Sequence, residues 1–309
     1  MKPTHVVVLA LVVGAVLAGA AGALDDEPED APLLPIPGLL RPKERPSDRP
    51  AAKNACTDPA PTRRADALPF APGENLQFDV HVLGLRTGRI LLRMSGPTRV
   101  DDVEVLPVTA YAKTDTAFSL FGDLEGRMLS YLDPKDALPV RMVNHVQTKQ
   151  MWKDPAISRE DAAFSDDGQV SSRVTYWRDG KERSWPGKSA ASSDLADVLS
   201  VVYYARTREL TVGAPFCFQV YHRRRIWQVE GKVAARERVS APNGKRDALR
   251  VDVVARKLGG KKSSGATHTL TVHLSDDAER LPLLVRTRDG LTDIAVALSA
   301  HVKGRALPR

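Results

Sequence analysis

The sequence predicts a mostly β protein, in which a single antiparallel sheet curls into a spiral roll or an open, barrel-like shape around one central α-helix. Three observations predict this fold. Segments of alternating apolar and polar residues follow one another from residue 76 to residue 300. Turn sequences such as Asn243-Gly244 separate them. Residues 193–208 alone have helical periodicity, and their apolar face needs other elements to cover it.

The predicted helix, residues 193–208, concentrates its apolar residues on one face. They recur at spacings of three and four residues: Leu195, Val198, Leu199, Val202 and Tyr203. We expect Ser193 or Asp194 to cap the first turn, where a side-chain oxygen accepts hydrogen bonds from unpaired backbone N–H groups. Arg206 and Arg208 lie in the last turn, where the helix dipole favours positive charge.

The remaining elements of the domain, residues 68–303, are predicted to be strands. Before the helix they cover residues 76–82, 88–94, 103–112, 124–132, 138–146, 157–164, 169–177 and 181–185. After the helix they cover residues 216–222, 226–238, 248–257, 267–274, 281–287 and 293–300. Residues 304–309 are interpreted as a C-terminal tail.

The N-terminus has the features of a cleaved signal peptide, residues 1–23. Lys2 precedes an apolar run over residues 6–17, and Ala21-Gly22-Ala23 fits a cleavage site. No Cys follows this site to carry a lipid anchor, so we expect a periplasmic or secreted protein without a transmembrane segment after cleavage. The alternative is a retained membrane anchor. Without Lys2 the chain keeps 44 of its 45 Lys and Arg residues against 38 Asp and Glu residues, a net charge of +6.

Residues 24–67 are predicted to be a disordered linker, first acidic and then rich in proline. Such a composition cannot bury enough apolar surface to become ordered. The alternative is that its leucine-rich part is a short docking site for a protein partner.

The two cysteines, Cys56 and Cys217, are expected to form a disulfide, since an even number of cysteines is typical of exported proteins. The bond would attach the proline-rich arm to the domain. Cys217 alternates with Phe216 and Phe218, so it is expected to point to the accessible face of its strand. Two free thiols are the alternative.

A search for chemistry finds no metal-ligand spacing, phosphate loop or nucleophile motif, so no catalytic, cofactor or metal residue is predicted. Arg223-Arg224-Arg225 is a candidate contact for an anionic polymer or lipid head group; a solvated turn is the alternative. Nucleic acid is not an expected partner, since no basic tract with interleaved aromatic residues occurs. Four aromatic residues are candidates for lining a ligand cavity, or alternatively for filling the core: Tyr203, Tyr204, Trp177 and Trp227.

Four segments in order resemble domain-of-unknown-function family 3108, a family of exported bacterial proteins. They are PFAPGENLQFDVHVLGLRTGRILL, LDPKDALPVR, DLADVLSVVYYARTRELTVG and LSDDAERLPLLVR, within residues 68–302. The resemblance implies a single all-β domain whose sheet curls around its helix. It implies no catalytic residue, and it does not extend to the proline-rich arm.

These features predict a non-catalytic protein of the bacterial cell envelope. It is expected to bind a hydrophobic or anionic component, a lipid or a glycan, between helix and sheet. One alternative is an enzyme acting on envelope polymers, which would need two neighbouring carboxylates of raised pKa in a cleft. The other alternative is a scaffold that binds protein partners through the proline-rich arm.

Overall fold

The computed structural model describes residues 68–305 apart from 119–122, 150–154, 179, 193, 242–243, 259–266 and 290–291, together with residues 56, 60, 62 and 63. The predicted signal peptide (1–23), most of the predicted linker (24–67) and residues 306–309 of the predicted tail lie outside the described residues. The predictions made for them therefore stay predictions.

Sixteen strands, one short α-helix and one 3₁₀ turn, Thr116–Phe118, form the described part of the domain. The strands before the helix are β1 (Asn75–Val82), β2 (Leu85–Met94), β3 (Thr98–Val100), β4 (Val103–Thr114), β5 (Asp123–Leu132), β6 (Pro139–Lys149), β7 (Ala156–Phe164), β8 (Gln169–Arg178), β9 (Lys181–Ala190) and β10 (Leu195–Asp197). Helix α1 (Ser200–Arg206) follows. The strands after it are β11 (Pro215–His222), β12 (Arg225–Ala241), β13 (Gly244–Leu258), β14 (Thr267–Ser275), β15 (Pro282–Asp289) and β16 (Thr292–Val302).

All sixteen strands belong to a single sheet that is not closed into a barrel. Its order is β10-β11-β12-β13-β14-β15-β16-β1-β2-β4-β5-β6-β7-β8-β9, with β3 paired to β4 beside this path. Neighbours are antiparallel except β10 and β11, which are parallel. The edge strands β9 and β10 are joined by residues 191–194 alone. Since so short a segment reaches at most about 18 Å, the two edges lie near each other without pairing, and the sheet must curl.

The alternation read from the sequence places one face of most strands in the core. In β1, for example, Leu76, Phe78 and Val80 are buried, and Phe78 lies opposite the buried Ile90 of β2. Each predicted strand is present, although several are longer than predicted. The three residues of β3 were not predicted, since a strand so short contains too few residues to give an alternating pattern.

The two ends of the strand order overlap through side-chain contacts. The Tyr221 hydroxyl of β11 donates to Glu160 Oε1 of β7 at 2.8 Å, and its ring packs edge-on against Phe164. The backbone N–H of Ser192 donates to Gln219 Oε1 at 2.8 Å. Strand β11 is therefore buried on both faces. The expectation that Cys217 is accessible is wrong, because the side of β11 that carries Cys217 is covered too.

The predicted helix is correct in position but too long. Helix α1 contains seven residues, while Leu195–Asp197 form β10 beside β11. Of the two caps expected, Ser193 lies outside the described residues, and Asp194 precedes β10 and so does not start the helix. The Asp197 carboxylate instead accepts from the backbone N–H groups of Leu199 and Ser200 at 2.8 and 2.6 Å. All but one of the residues of α1 are buried, so the predicted division into an apolar and a polar face does not apply.

A buried ion pair attaches the end of α1 to the start of β1. Both terminal nitrogens of Arg206 donate to the Glu74 carboxylate, at 2.7 and 2.8 Å. Arg206 also donates to two backbone carbonyls, those of Glu279 and Pro69. Burial raises the pKa of Glu74, but the hydrogen bonds and charges of Arg206 and His301 outweigh burial and hold this pKa below its usual value. Both members of the pair are thus charged and satisfied.

Replacing Arg206 with methionine is expected to lower the free energy of unfolding by about 3–5 kcal/mol, because the Glu74 carboxylate would remain buried without a counter-charge. Arg238→Met is the control: Arg238 pairs with Asp247 at 3.1 Å, but their side chains are 67% and 73% exposed. The control should cost no more than about 1 kcal/mol. Urea denaturation measures both variants, and equal small losses would contradict the structural role given to Arg206.

Candidate functional site

An apolar cavity of about 70 Å³ lies between α1 and the inner face of the strands that follow it. The helix contributes Val201, Val202, Tyr204 and Ala205, and Arg208 and Leu210 follow the helix. The sheet contributes the remaining lining residues, all apolar: Phe216, Phe218, Val220, Val229, Val251, Val253, Val272, Leu274 and Pro282. We refer to this space as the apolar cavity.

Strand periodicity explains why these residues share one wall. Phe216, Phe218 and Val220 alternate along β11, and Val251 and Val253 alternate along β13, so each set points to the same side of its strand. Gly231 of β12 lies opposite Phe216, and a β-carbon on Gly231 would stand only 2.2 Å from the Phe216 ring. The absent side chain of Gly231 therefore leaves room for that ring in the wall.

Two polar side chains border the apolar cavity, and both come from the helical region. The Tyr204 ring lies 5.3 Å from the Phe218 ring, and the Arg208 guanidinium carbon lies 3.8 Å from the Tyr204 ring centroid. Burial raises the pKa of Tyr204 to about 12, so its hydroxyl keeps its proton at neutral pH. Arg208 Nη2 donates to the Asp136 carbonyl at 3.4 Å. The cavity thus has apolar walls, and the Tyr204 hydroxyl and Arg208 Nε beside it are buried without an acceptor among the described residues.

Of the four aromatic residues predicted to line a cavity, Tyr204 borders the apolar cavity and the other three lie elsewhere. Tyr203 packs edge-on against Phe70, with the ring centroids 5.0 Å apart. Trp227 lies against His268, and Trp177 is half-buried on β8, where its indole N–H donates to Glu182 at 2.8 Å. The sequence placed Tyr203 and Tyr204 together, but neighbouring residues of a helix point in different directions.

The predicted anionic contact, Arg223-Arg224-Arg225, lies where β11 meets β12: Arg223 and Arg224 form the turn, and Arg225 begins β12. All three residues are half-buried, and Arg223 and Arg224 have positive φ angles of 49° and 59°. The Arg224 backbone N–H donates to Glu160 Oε1 at 3.1 Å, and its Nη2 donates to the Pro186 carbonyl at 3.1 Å. This cluster makes its hydrogen bonds where the two sheet ends overlap, and none of its residues lines the apolar cavity.

The arm that precedes the domain is attached beside the apolar cavity. Cys56 and Cys217 form a disulfide, as the sequence predicted, with their α-carbons 5.5 Å apart. Arg63 forms a β-bridge with Arg208, and the Glu209 backbone N–H donates to the Thr62 carbonyl at 2.8 Å. The described arm residues therefore run along the segment that carries Arg208.

A larger cleft, of about 500 Å³, lies on the outer face of the sheet. His273 Nε2 and Glu237 Oε1 are 2.6 Å apart in it, and Arg250 contacts the same carboxylate at 3.4 Å. Across the part of the chain that the structure describes, no group of three His, Cys, Asp or Glu residues is arranged to hold a metal ion.

Burial raises the pKa of two carboxyl groups in the core, and both groups stabilise the fold. Burial raises the pKa of Glu160, against the opposing effects of Tyr221 and Arg223. Burial likewise raises the pKa of Asp197, which accepts from the Ser130 hydroxyl at 2.6 Å and caps α1. Neither carboxyl group lines the apolar cavity or the outer cleft.

The disulfide predicts a measurable mass difference. The intact mass of non-reduced protein should be about 2 Da below that of the reduced protein, one hydrogen for each thiol formed. The double variant Cys56→Ser/Cys217→Ser should have the same mass under both conditions. Intact-mass spectrometry with and without reductant makes the comparison, and equal masses for the unaltered protein would reject the bond.

A family model for proteins of unknown function, DUF3108, matches residues 77–295. No protein with a curated description matches this sequence. Among the described residues, none of the helices has the length and apolar character needed to span a membrane.

Several solved structures are similar in outline. A β-barrel-like DUF1849 protein from Brucella abortus is 10% identical, with 76% of this chain and 99% of that chain covered and a TM-score of 0.46. A protein from Bacteroides fragilis, described as exported and as having a YmcC-like fold, is 9% identical, with 80% and 100% covered and a TM-score of 0.33. The lipoprotein YmcC from Escherichia coli is 6% identical, with 78% and 91% covered and a TM-score of 0.27.

The DUF3108 match begins in β1 and ends in β16, so it includes every strand of the sheet and the helix. It also agrees with the resemblance carried by the four sequence segments. This chain belongs to the DUF3108 family of proteins of unknown function.

Proposed function

We propose that this protein is an exported, non-catalytic protein of the bacterial cell envelope that binds the terminal carbon atoms of an envelope lipid's hydrocarbon chain in the apolar cavity. In this proposal the sheet curls around α1 as a central element, and the ligand lies between the two. The observation that carries the proposal is the cavity wall, in which every lining residue except Tyr204 and Arg208 is apolar.

The chemistry of the wall favours a hydrocarbon over a sugar. Burying one methylene group in an apolar site stabilises a complex by about 0.8 kcal/mol, whereas a sugar hydroxyl buried without a partner costs about 1–3 kcal/mol. Valine and phenylalanine side chains offer a sugar no hydrogen bonds. The lipid alternative is therefore preferred to the glycan alternative for this cavity.

The envelope location rests on two supporting observations. The N-terminal sequence has the features of a secretory signal, with Lys2 before an apolar run and small residues at the expected cleavage site. Structurally similar proteins are described as exported or as lipoproteins. An envelope protein encounters lipids as the most abundant source of hydrocarbon chains.

The two other hypotheses have less support. The enzyme hypothesis needs two neighbouring carboxyl groups of raised pKa in a cleft, and those of Glu160 and Asp197 are instead committed to hydrogen bonds inside the core. Within the described part of the arm, Thr62 and Arg63 contact the domain itself.

Filling the cavity tests the proposal. Val253→Phe adds a ring to the wall and should weaken binding of octan-1-ol, an uncharged eight-carbon chain, by at least about tenfold, or about 1.4 kcal/mol. The ring should also cost about 1–3 kcal/mol of stability through overpacking. A calorimetric titration of octan-1-ol measures the affinity, and urea denaturation confirms that the variant is folded.

Val103→Phe is the matched control, because Val103 of β4 is 44% exposed and lies outside the cavity lining. The affinity of the Val103→Phe variant for octan-1-ol should equal that of the unaltered protein. The proposal is wrong if the unaltered protein does not bind octan-1-ol, or if the folded Val253→Phe variant binds it equally well.

A further inference from the structure

We infer that the turn between β1 and β2 docks the protein on a lipid bilayer, with the side chains of Leu83 and Leu85 inserted among the acyl chains. We refer to Leu83, Gly84 and Leu85 as the apolar tip. None of these residues lines the apolar cavity, so the inference goes beyond the proposed function and concerns the surface through which the protein contacts a membrane.

The first supporting observation is the exposure of the apolar tip. Leu83 is 64% exposed and Leu85 is 61% exposed, the highest values among the large hydrophobic side chains that the structure describes. Leu83 and Gly84 form the turn, and Leu85 begins β2 opposite Val82. Moving one leucine side chain from water into hydrocarbon is favoured about tenfold or more. Most of this gain remains available to both leucines.

The second observation is the backbone conformation of the turn. Leu83 has a φ angle of 52° and Gly84 one of 80°. Positive φ at both residues of a two-residue hairpin turn favours asparagine or aspartate followed by glycine. A bulky residue such as leucine is uncommon there, because its side chain crowds its own backbone. The turn itself therefore does not account for a leucine, whereas a contact outside the domain would.

Two other turns of the domain provide an internal comparison. Asp101-Asp102 joins β3 to β4 with φ angles of 49° and 66°, and Arg223-Arg224 joins β11 to β12 with 49° and 59°. Both turns have the same length and the same sign of φ as the β1–β2 turn, and both consist of charged residues. The fold thus accepts polar residues in this conformation, and it does not require the two exposed leucines.

The third observation is positive charge beside the apolar tip. Arg286 and Arg288 of β15 are exposed, and among the described residues neither forms an ion pair. Arg288 lies opposite Asp293, whose carbonyl accepts from the Leu83 backbone N–H at 2.8 Å, so both arginines lie at the same end of the sheet as the tip. Guanidinium groups bind phosphate well. Exposed leucines beside such groups complement a bilayer, where phosphates border the acyl chains.

Nearby carboxylates do not cancel this charge. Asp115 lies 2.9 Å from an Arg86 nitrogen, and Asp79 lies 3.4 Å from an Arg89 nitrogen, so these pairs are neutral together. Asp293 contributes one negative charge against the two positive charges of β15. The shape of the tip also favours a bilayer over a protein partner, because a two-residue turn is convex and a fluid bilayer needs no preformed pocket to receive it.

Co-sedimentation with vesicles of phosphatidylglycerol and phosphatidylcholine in equal amounts tests the inference, and the unaltered protein should bind them. Leu83→Asn/Leu85→Thr should lower the affinity at least about tenfold, through loss of the acyl-chain contacts. Asparagine suits the turn and threonine suits a strand, so urea denaturation should show unchanged or higher stability. Val302→Thr is the control: Val302 is 58% exposed but lies at the other end of β16, and its loss should not affect binding.

The arginines are tested separately. Arg286→Gln/Arg288→Gln should lower the affinity for these vesicles about tenfold and weaken its dependence on salt concentration. Arg93→Gln/Arg99→Gln removes the same charge from exposed residues at the other end of β2 and on β3, and it should have less than about a twofold effect.

Insertion of the tip has its own measurement. Leu85→Trp keeps an apolar side chain at the tip, so its added fluorescence should be quenched by vesicles of phosphatidylcholine brominated on the acyl chains and phosphatidylglycerol. Val302→Trp should add fluorescence that these vesicles do not quench.

Three results would overturn the inference: no binding of the unaltered protein to the vesicles, equal binding by the folded Leu83→Asn/Leu85→Thr variant, or equal quenching of the two tryptophan variants. A dimer in analytical ultracentrifugation that the Leu83→Asn/Leu85→Thr variant does not form would assign the tip to a second copy and would overturn it as well. The octan-1-ol titration depends on the apolar cavity alone, so failure of the proposed function is detected independently.

Discussion

The buried ion pair between Arg206 and Glu74 is the interaction on which the arrangement of the domain depends. Arg206 is the last residue of α1, and Glu74 directly precedes β1, which lies in the middle of the strand order between β16 and β2. The pair therefore connects the buried helix to the middle of the strand order. Since its two charges are desolvated together and share two hydrogen bonds, neither residue tolerates the loss of the other.

With the helix held in this way, the sheet curls until its two ends overlap. Tyr221 near one edge donates to Glu160 near the other edge. Side-chain hydrogen bonds therefore connect the two ends of the sheet, which are not connected by backbone pairing. The side chains of the sheet and of α1 do not fill the interior completely. The space between α1 and β11–β14 remains open, and beside it the Arg208 Nε and the Tyr204 hydroxyl have no acceptor in the described structure.

Much of the fold could be predicted from the sequence, because strand alternation and turn residues are local signals. The disulfide followed from the number of cysteines and the expected export. The helix was predicted too long, because Leu195 and Val198 are buried through a strand and a turn, which give the same apolar spacing as a helix. The position of Arg208 could not be predicted, because its contacts include the Asp136 carbonyl, 72 residues earlier in the chain.

Native mass spectrometry on protein isolated gently from the cell envelope tests the central claim most directly. The account predicts a reproducible adduct with the mass of a lipid on the unaltered protein, and its loss from Val253→Phe. An adduct that persists in that folded variant, or one with the mass of a glycan, would contradict the assignment of the apolar cavity as the binding site.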